Sequence, residues 1–400
     1  MKKNPLFPIF FVVFMGYVGI SVPIPIFSPL FLYPEQGMLS PDLGEMARVV
    51  ILGLVLMLYP FGQLFGSPIL GRLSDRYGRR NLLLLSLAGA AVSYGVTAMA
   101  VSSRSVILLV LGRLLSGFCE GNITIAQSAA ADLYQGHQKM RAFSLIMMAV
   151  ASGFIVGPIL GGKLSDATLV PWFSFATPFW ASALLILITL GTVFWTFPRH
   201  IQRQEDQAHD LFRDFQSFGR TLFHRHLKTI YAAVFFLNLG IFFFFQFLPI
   251  YQAQLWRFSA NDIADIQVYV ALAITVTQLV LASKLTEKLK PSQAIFSAGL
   301  LLAGSLVLFV IPVKPNALYF TTVPIAIAIA VIHTNCSVWI SDIADPAIQG
   351  EALGLHSSII VISEILVCLF GGLIAAMAPS LPFIVGAAST LWGAFIVFRK

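Results

Sequence analysis

The sequence predicts an all-α membrane protein in which twelve transmembrane helices form two pseudo-symmetric six-helix bundles, with both termini cytoplasmic. Three observations predict it. The 400 residues are 58% hydrophobic and only 11% charged, where a soluble domain carries about 25% charged residues. Apolar windows of about 20 residues, each long enough to cross a bilayer, recur twelve times. The basic residues are unevenly shared between the loops: nineteen of the 25 Lys and Arg fall in segments that this topology places inside the cell and five (Arg48, Arg104, Lys163, Arg257 and Lys314) in those outside, with Arg113 within a span. A bias of that size is what the positive-inside rule requires, and a missed or extra span would scramble it.

The windows fall near residues 6–32, 47–70, 81–101, 105–132, 142–165, 171–197, 228–252, 262–283, 292–311, 316–340, 351–377 and 379–398. Lys2 and Lys3 ahead of the first resemble a leader peptide, but the run to Leu32 is too long for a leader's apolar core and is broken by Pro23, Pro25 and Pro29; it reads as a retained span. Between the sixth and seventh windows lies the longest polar segment. Its Leu211, Phe212, Phe215, Phe218, Leu222 and Phe223 recur at roughly helical spacing, as in an amphipathic helix lying on the membrane surface. The chain therefore divides into a first bundle (1–197), a cytoplasmic linker (198–227) and a second bundle (228–400).

The halves echo one another. Leu73, Ser74, Asp75 and Arg76 align with Leu285, Thr286, Glu287 and Lys288, and Gly161 and Gly162 with Gly371 and Gly372, at a nearly constant offset. Duplicated bundles of this kind are common in transporters.

Composition also excludes. The net charge of +7 is interspersed among spans rather than gathered on one soluble face, so no nucleic-acid partner is expected. Cys119, Cys336 and Cys368 sit in apolar windows without paired or metal-like spacing, and no phosphate-binding loop, dinucleotide fingerprint or nucleophile elbow occurs. Neither an enzyme, a cofactor nor a metal is predicted. The expected partners are the bilayer, a small-molecule substrate and protons, and the chain is expected to act as a monomer.

The densest charge cluster is GRLSDRYGRR, Gly71 to Arg80, between the second and third windows. With Gly71, Asp75, Arg76, Gly78, Arg79 and Arg80 in place, it resembles the signature loop of the major facilitator superfamily. LGRLLSGFCEG in the fourth window and GFIVGPILGG in the fifth resemble that superfamily's second motif and its antiporter motif. The likeness covers essentially the whole chain and is nearest to the twelve-helix drug:proton antiporters, including tetracycline exporters; the second-half loop lacks the glycines. The resemblance implies that the signature loop, with Asp132 as the partner of Arg79, latches the bundles together on the cytoplasmic side. It likewise implies that Gly153, Gly157, Pro158, Gly161 and Gly162 form a contact between bundles.

Coupling chemistry is expected where charge is expensive. Arg113 and Glu120 lie two helical turns apart on one face of the fourth window, with Asn122, Thr124 and Gln127 following. They read either as a proton-binding pair or as a static buried ion pair. Glu364 in the eleventh window is a second proton site, a cation-binding group or a helix contact. Tyr17 and Ser21 in the first window, Asn238 and Gln246 in the seventh, and His333 and Asn335 in the tenth are candidates to line a substrate cavity, helices one, four, seven and ten being carried over from the family's fold. The function expected is secondary active transport, a proton-coupled export of small, partly apolar organic compounds from the bacterial inner membrane by alternating access. The alternatives are a dedicated metabolite or siderophore transporter, in either direction, and a membrane sensor that binds without transporting.

Overall fold

The computed structural model describes residues 5–198, 227–282, 289–311, 314–345 and 349–399. The expected amphipathic stretch within the linker and the loop echo at Leu285–Lys288 lie outside these residues. Among the described residues, twelve helical segments are long and apolar enough to cross a membrane, as the sequence predicts, and fourteen α-helices build them. The first span is α1 (Leu6–Ser21) with α2 (Ile24–Leu32), followed by α3 (Glu45–Tyr77) and α4 (Arg79–Ser102). The fourth is α5 (Val106–Cys119) with α6 (Gly121–Leu133), then α7 (Gly136–Lys163) and α8 (Thr177–Thr196). The second half holds α9 (Leu227–Trp256), α10 (Ala260–Thr277), α11 (Pro291–Phe309), α12 (Leu318–Ile343), α13 (Gln349–Met377) and α14 (Leu381–Phe398).

Two spans are broken, for different reasons. Pro23 lacks the amide that would continue α1; the helix restarts beyond it, where Ile26 and Phe27 both donate to the Pro23 carbonyl at 3.1 and 3.0 Å. In the fourth span the Glu120 amide is shared between the Ser116 and Gly117 carbonyls (3.1 and 3.2 Å), and Ile123 turns back to Glu120 at 3.0 Å. This tightened turn falls between Gly117 and Gly121, each less helix-favouring than alanine by about 1 kcal/mol. The sequence reads as one continuous helix here, and the structure breaks it at its acid.

The chain forms two compact units, Met1–Glu205 with Arg257–Val268, and Asp206–Trp256 with Tyr269–Lys400. Within the first, α1 packs on α7, and α4 packs on both α5 and α8; within the second, α9 packs on α13, and α11 on α12 and α14. Each unit thus uses the same pairings of its first with its fifth span and of its third with its fourth and sixth.

Glycines set the closest crossings. A methyl on Gly62 would meet the Phe118 nitrogen at 2.9 Å and one on Gly117 the Tyr59 Cα at 3.1 Å, so α3 and α5 touch backbone to backbone. A methyl on Gly153 would meet the Phe14 carbonyl at 2.9 Å, on Gly157 the Val18 carbonyl at 2.9 Å, and on Gly161 the Pro25 ring at 2.8 Å. Gly153, Gly157 and Gly161 of the fifth span therefore close on the first span inside their own unit, where the sequence reading expects a contact between bundles: their helix pairs with α1 along its length. Gly162 faces Ala264, within the same unit. In the second unit Gly371 lies against the rings of Phe243 and Phe247, the equivalent pairing of α13 with α9.

One end of the first unit is tied by a buried cation. Arg48, only 2% exposed, donates to the carbonyls of Phe31 (3.2 Å), Ser40 (2.6 Å) and Leu43 (3.0 Å), fixing the loop from Tyr33 to Gly44. Beside it the Tyr33 hydroxyl donates to the Phe258 carbonyl at 2.7 Å and Arg257 pairs with Glu35 at 2.5 Å. Burial pushes the Tyr33 hydroxyl up to about 12, so it remains a donor at every physiological pH. Arg48→Met should free three carbonyls, that of Phe31 buried and those of Ser40 and Leu43 part-buried, each bond to a charged group being worth about 1.5–3 kcal/mol. Hydrogen exchange in residues 33–44 is expected to rise sharply; unchanged protection would show that the loop is held by other means.

Candidate functional site

Inside the first unit, polar groups from four spans converge. Arg113 and Glu120, on either side of the α5 stretch that ends at the helix break, are 4% and 5% exposed. The Arg113 guanidinium lies over the rings of Phe27 from α2 (5.3 Å) and Tyr59 from α3 (4.6 Å), an arrangement that holds a cation against aromatic faces. The Glu120 carboxylate approaches the first span closely: a methyl on Gly16 would meet its Oε1 at 2.8 Å. Tyr17, Tyr59, Tyr94 and Cys119 all lie within its electrostatic reach, as does Arg113. Tyr94 comes from α4 with its hydroxyl against Gly19.

The Tyr59 hydroxyl is directed at Glu120, yet the two make no well-formed hydrogen bond. Tyr59 Oη, Tyr94 Oη, Glu120 Oε1 and Asn122 Oδ1 are all buried without a hydrogen-bond partner among the described residues. An unsatisfied buried group costs about 1–3 kcal/mol; the second unit holds such atoms too, at Asn238 Oδ1 and Asn335 Oδ1.

The other expected cavity residues separate. Asn122 is buried, Gln127 half-buried and Thr124 exposed. Ser21 is fully buried and donates to the carbonyls of Tyr17 (2.7 Å) and Gly153 (3.1 Å), so its hydroxyl ties the first span to the fifth. In the second unit, Asn238 and Asn335 are buried and each donates back to its own helix, to Val234 (2.8 Å) and Val331 (2.9 Å). Gln246 donates to Glu364 at 2.7 Å, joining α9 to α13. His333 lies within electrostatic reach of His356, a residue that the sequence reading did not single out.

The signature-loop residues form a second cluster in the first unit. Arg79 pairs with Asp75 at 2.7 Å and with Asp132 at 3.1 Å, and donates to Ser74 at 2.6 Å. Arg80 donates to the Phe194 carbonyl at 2.7 Å and lies over the Phe194 ring, bridging the third span to the sixth. Arg76 lies over Tyr77. Gly78, at φ +93°, makes the sharp turn between α3 and α4, a conformation that a side chain would resist; Gly71 has open space around it. Pro158 lies buried within α7.

Sequence reasoning missed Tyr59, Tyr94, Phe27, Gly16 and Gly19. A polar-tipped aromatic in each of two neighbouring spans was the available signal.

The sequence profile of the Major Facilitator Superfamily matches residues 9–313. The class H tetracycline resistance protein of Pasteurella multocida is 28% identical over 279 residues, covering 68% of this chain and 64% of its own length, slightly under two thirds. Major facilitator superfamily domain-containing protein 10 of Mus musculus is 26% identical over 372 residues, covering 86% of this chain and 74% of its own. Among solved structures, a D-xylose-proton symporter superposes with a TM-score of 0.76 at 16% identity, covering 99% of this chain and 98% of the other, a likeness of fold.

Proposed function

The chain belongs to the Major Facilitator Superfamily, a family of membrane transporters, and from that premise we propose that it is a proton-coupled exporter of small, partly apolar organic compounds. The single observation that carries the coupling is the buried Glu120 at a break in the fourth span, with Arg113 and two unsatisfied phenols around it. A charge at membrane depth is expensive, so an acid kept there is explained by a proton that comes and goes. The resemblance to tetracycline resistance proteins supports export and makes tetracycline the first compound to try. The basic bias of the loops supports cytoplasmic termini and a signature loop facing the cytoplasm, in a bacterial inner membrane. Six-helix bundles over 1–197 and 228–400, joined by the linker, would alternate access as a monomer.

In this reading Arg113 tunes the acid, Glu364 with Gln246 is a second polar station, and the remaining candidates serve the substrate path. The cluster of Asp75, Arg79 and Asp132 serves as the gate. The test is the full-length protein in proteoliposomes under an imposed pH gradient, with tetracycline and a panel of apolar organic cations and anions. Accumulation that a protonophore collapses supports the proposal; binding without flux would replace it with a sensor.

The gate has its own test. The pairs of Arg79 are partly exposed, so Asp75→Asn should change stability by no more than about 1 kcal/mol. Transport should nevertheless fall about 5-fold or more, the lower end of a coupling between sites, with the amount inserted in the membrane unchanged. Transport at the wild-type rate would remove the gating role.

A further inference from the structure

We infer that Tyr59 and Tyr94 are positioning residues for Glu120, holding its carboxylate when charged and accepting its hydroxyl when neutral; the inference rests on the proton-binding role proposed above. The geometry sets the case. Both phenols are at least 96% buried, they arrive from adjacent helices, and their hydroxyls and Glu120 Oε1 are all unsatisfied among the described residues. Tyr59 is pinned from the other side by Arg113 over its ring at 4.6 Å. Tyr94 is confined by Gly19, where any side chain would strike its hydroxyl, as Gly16 confines the carboxylate.

A phenol suits this position because its hydroxyl both donates and accepts, and rotates without moving the ring. Toward a carboxylate it donates. When the incoming proton bonds to a Glu120 oxygen, the group becomes a neutral carboxyl, and the phenol turns so that its oxygen accepts the new O–H. The charge that changes is the acid's own: the Arg113 guanidinium stays cationic against the rings of Phe27 and Tyr59, and no side chain has to leave the core. Phenylalanine would keep the ring and lose both roles. The titratable and charged groups turned towards the acid are Tyr17 from α1, Tyr59 from α3, Tyr94 from α4, and Arg113 and Cys119 from α5. Of these, Tyr59 and Tyr94 are the two whose hydroxyls are buried and unsatisfied.

The experiment needs no transported substrate. Infrared difference spectra of the full-length protein, acid minus alkaline, are recorded for the wild type and for Glu120→Gln; the carboxyl C=O band missing from the variant belongs to Glu120. In Tyr59→Phe and Tyr94→Phe that band is expected to shift to higher wavenumber as the carboxyl loses a hydrogen bond, which a purely packing role would not cause. Ring-labelled tyrosine in the wild-type protein provides an arm free of any folding defect: a tyrosine C–O band should appear with the Glu120 band and vanish in Glu120→Gln. A Glu120 band that neither substitution moves, or the absence of any accompanying tyrosine band, overturns the inference alone. A spectrum with no Glu120-dependent band overturns the proton-binding role as well.

Discussion

Glu120→Gln is expected to cut gradient-driven accumulation steeply while leaving exchange of the same compound across the membrane intact. Glutamine fills the same space in the core and cannot take up a proton, so the change separates coupling from architecture. For whichever compound of the panel the wild-type protein accumulates, the loss should be about 5- to 150-fold, the range spanned by coupling energies of 1–3 kcal/mol. Paired measurements decide it, one under an imposed pH gradient and one with substrate on both sides and no gradient. Accumulation retained by the variant would move the proton to another group, with Glu364 next in line because it lies midway along α13 and already accepts from Gln246 at 2.7 Å.

The second large effect concerns architecture. Gly117→Ala would drive a methyl into the backbone of Tyr59, where no side-chain rotation relieves the contact, so α3 and α5 must separate. Overpacking of this kind costs about 1–3 kcal/mol. Because Tyr59 carries the ring beneath Arg113, the same displacement should impair transport. Thermal unfolding in detergent reads the first effect. Gly71→Ala is the control: it lies in α3 with nothing within 4 Å, and its stability should be unchanged or improved by up to about 1 kcal/mol. Equal behaviour of the two variants would mean that the α3–α5 crossing is looser than the backbone positions indicate.

The fold was legible because hydropathy reports the bilayer directly. A window at 47–70 sits inside a helix that runs from Glu45 to Tyr77, and one at 228–252 inside Leu227–Trp256; the helices overrun their apolar windows because helical backbone continues past the lipid into water. The break at Glu120 was not legible. Gly117 and Gly121 are as consistent with close packing as with a turn, and the structure uses Gly117 for both. Arg113 and Glu120 stood out because charge is rare at that depth, but their surroundings did not. A lone tyrosine in an apolar span reads as core, and only the crossing of α1, α3 and α4 shows that Tyr59 and Tyr94 turn towards one acid. Gly153, Gly157 and Gly161 were recognised as contact residues, but spacing along one helix does not name the partner helix.

The broken fourth span also bears on how the protein is made. Its halves, of 14 and 13 residues, are each about 20 Å long at 1.5 Å per residue, too short to cross a hydrocarbon core of about 30 Å. Joined, they form a segment burdened with Arg113, a residue that disfavours membrane insertion by about 2.5–3.5 kcal/mol at a span's centre, and with Glu120 as well. Such a segment is a poor candidate for entering the bilayer alone. Its charges are sheltered only once the rings of Phe27 and Tyr59 are in place, both of which emerge earlier from the ribosome. Biogenesis should therefore proceed with the fourth span waiting on the first and second, and a chain cut between the third and fourth should leave the fourth span of the later fragment stranded outside the lipid.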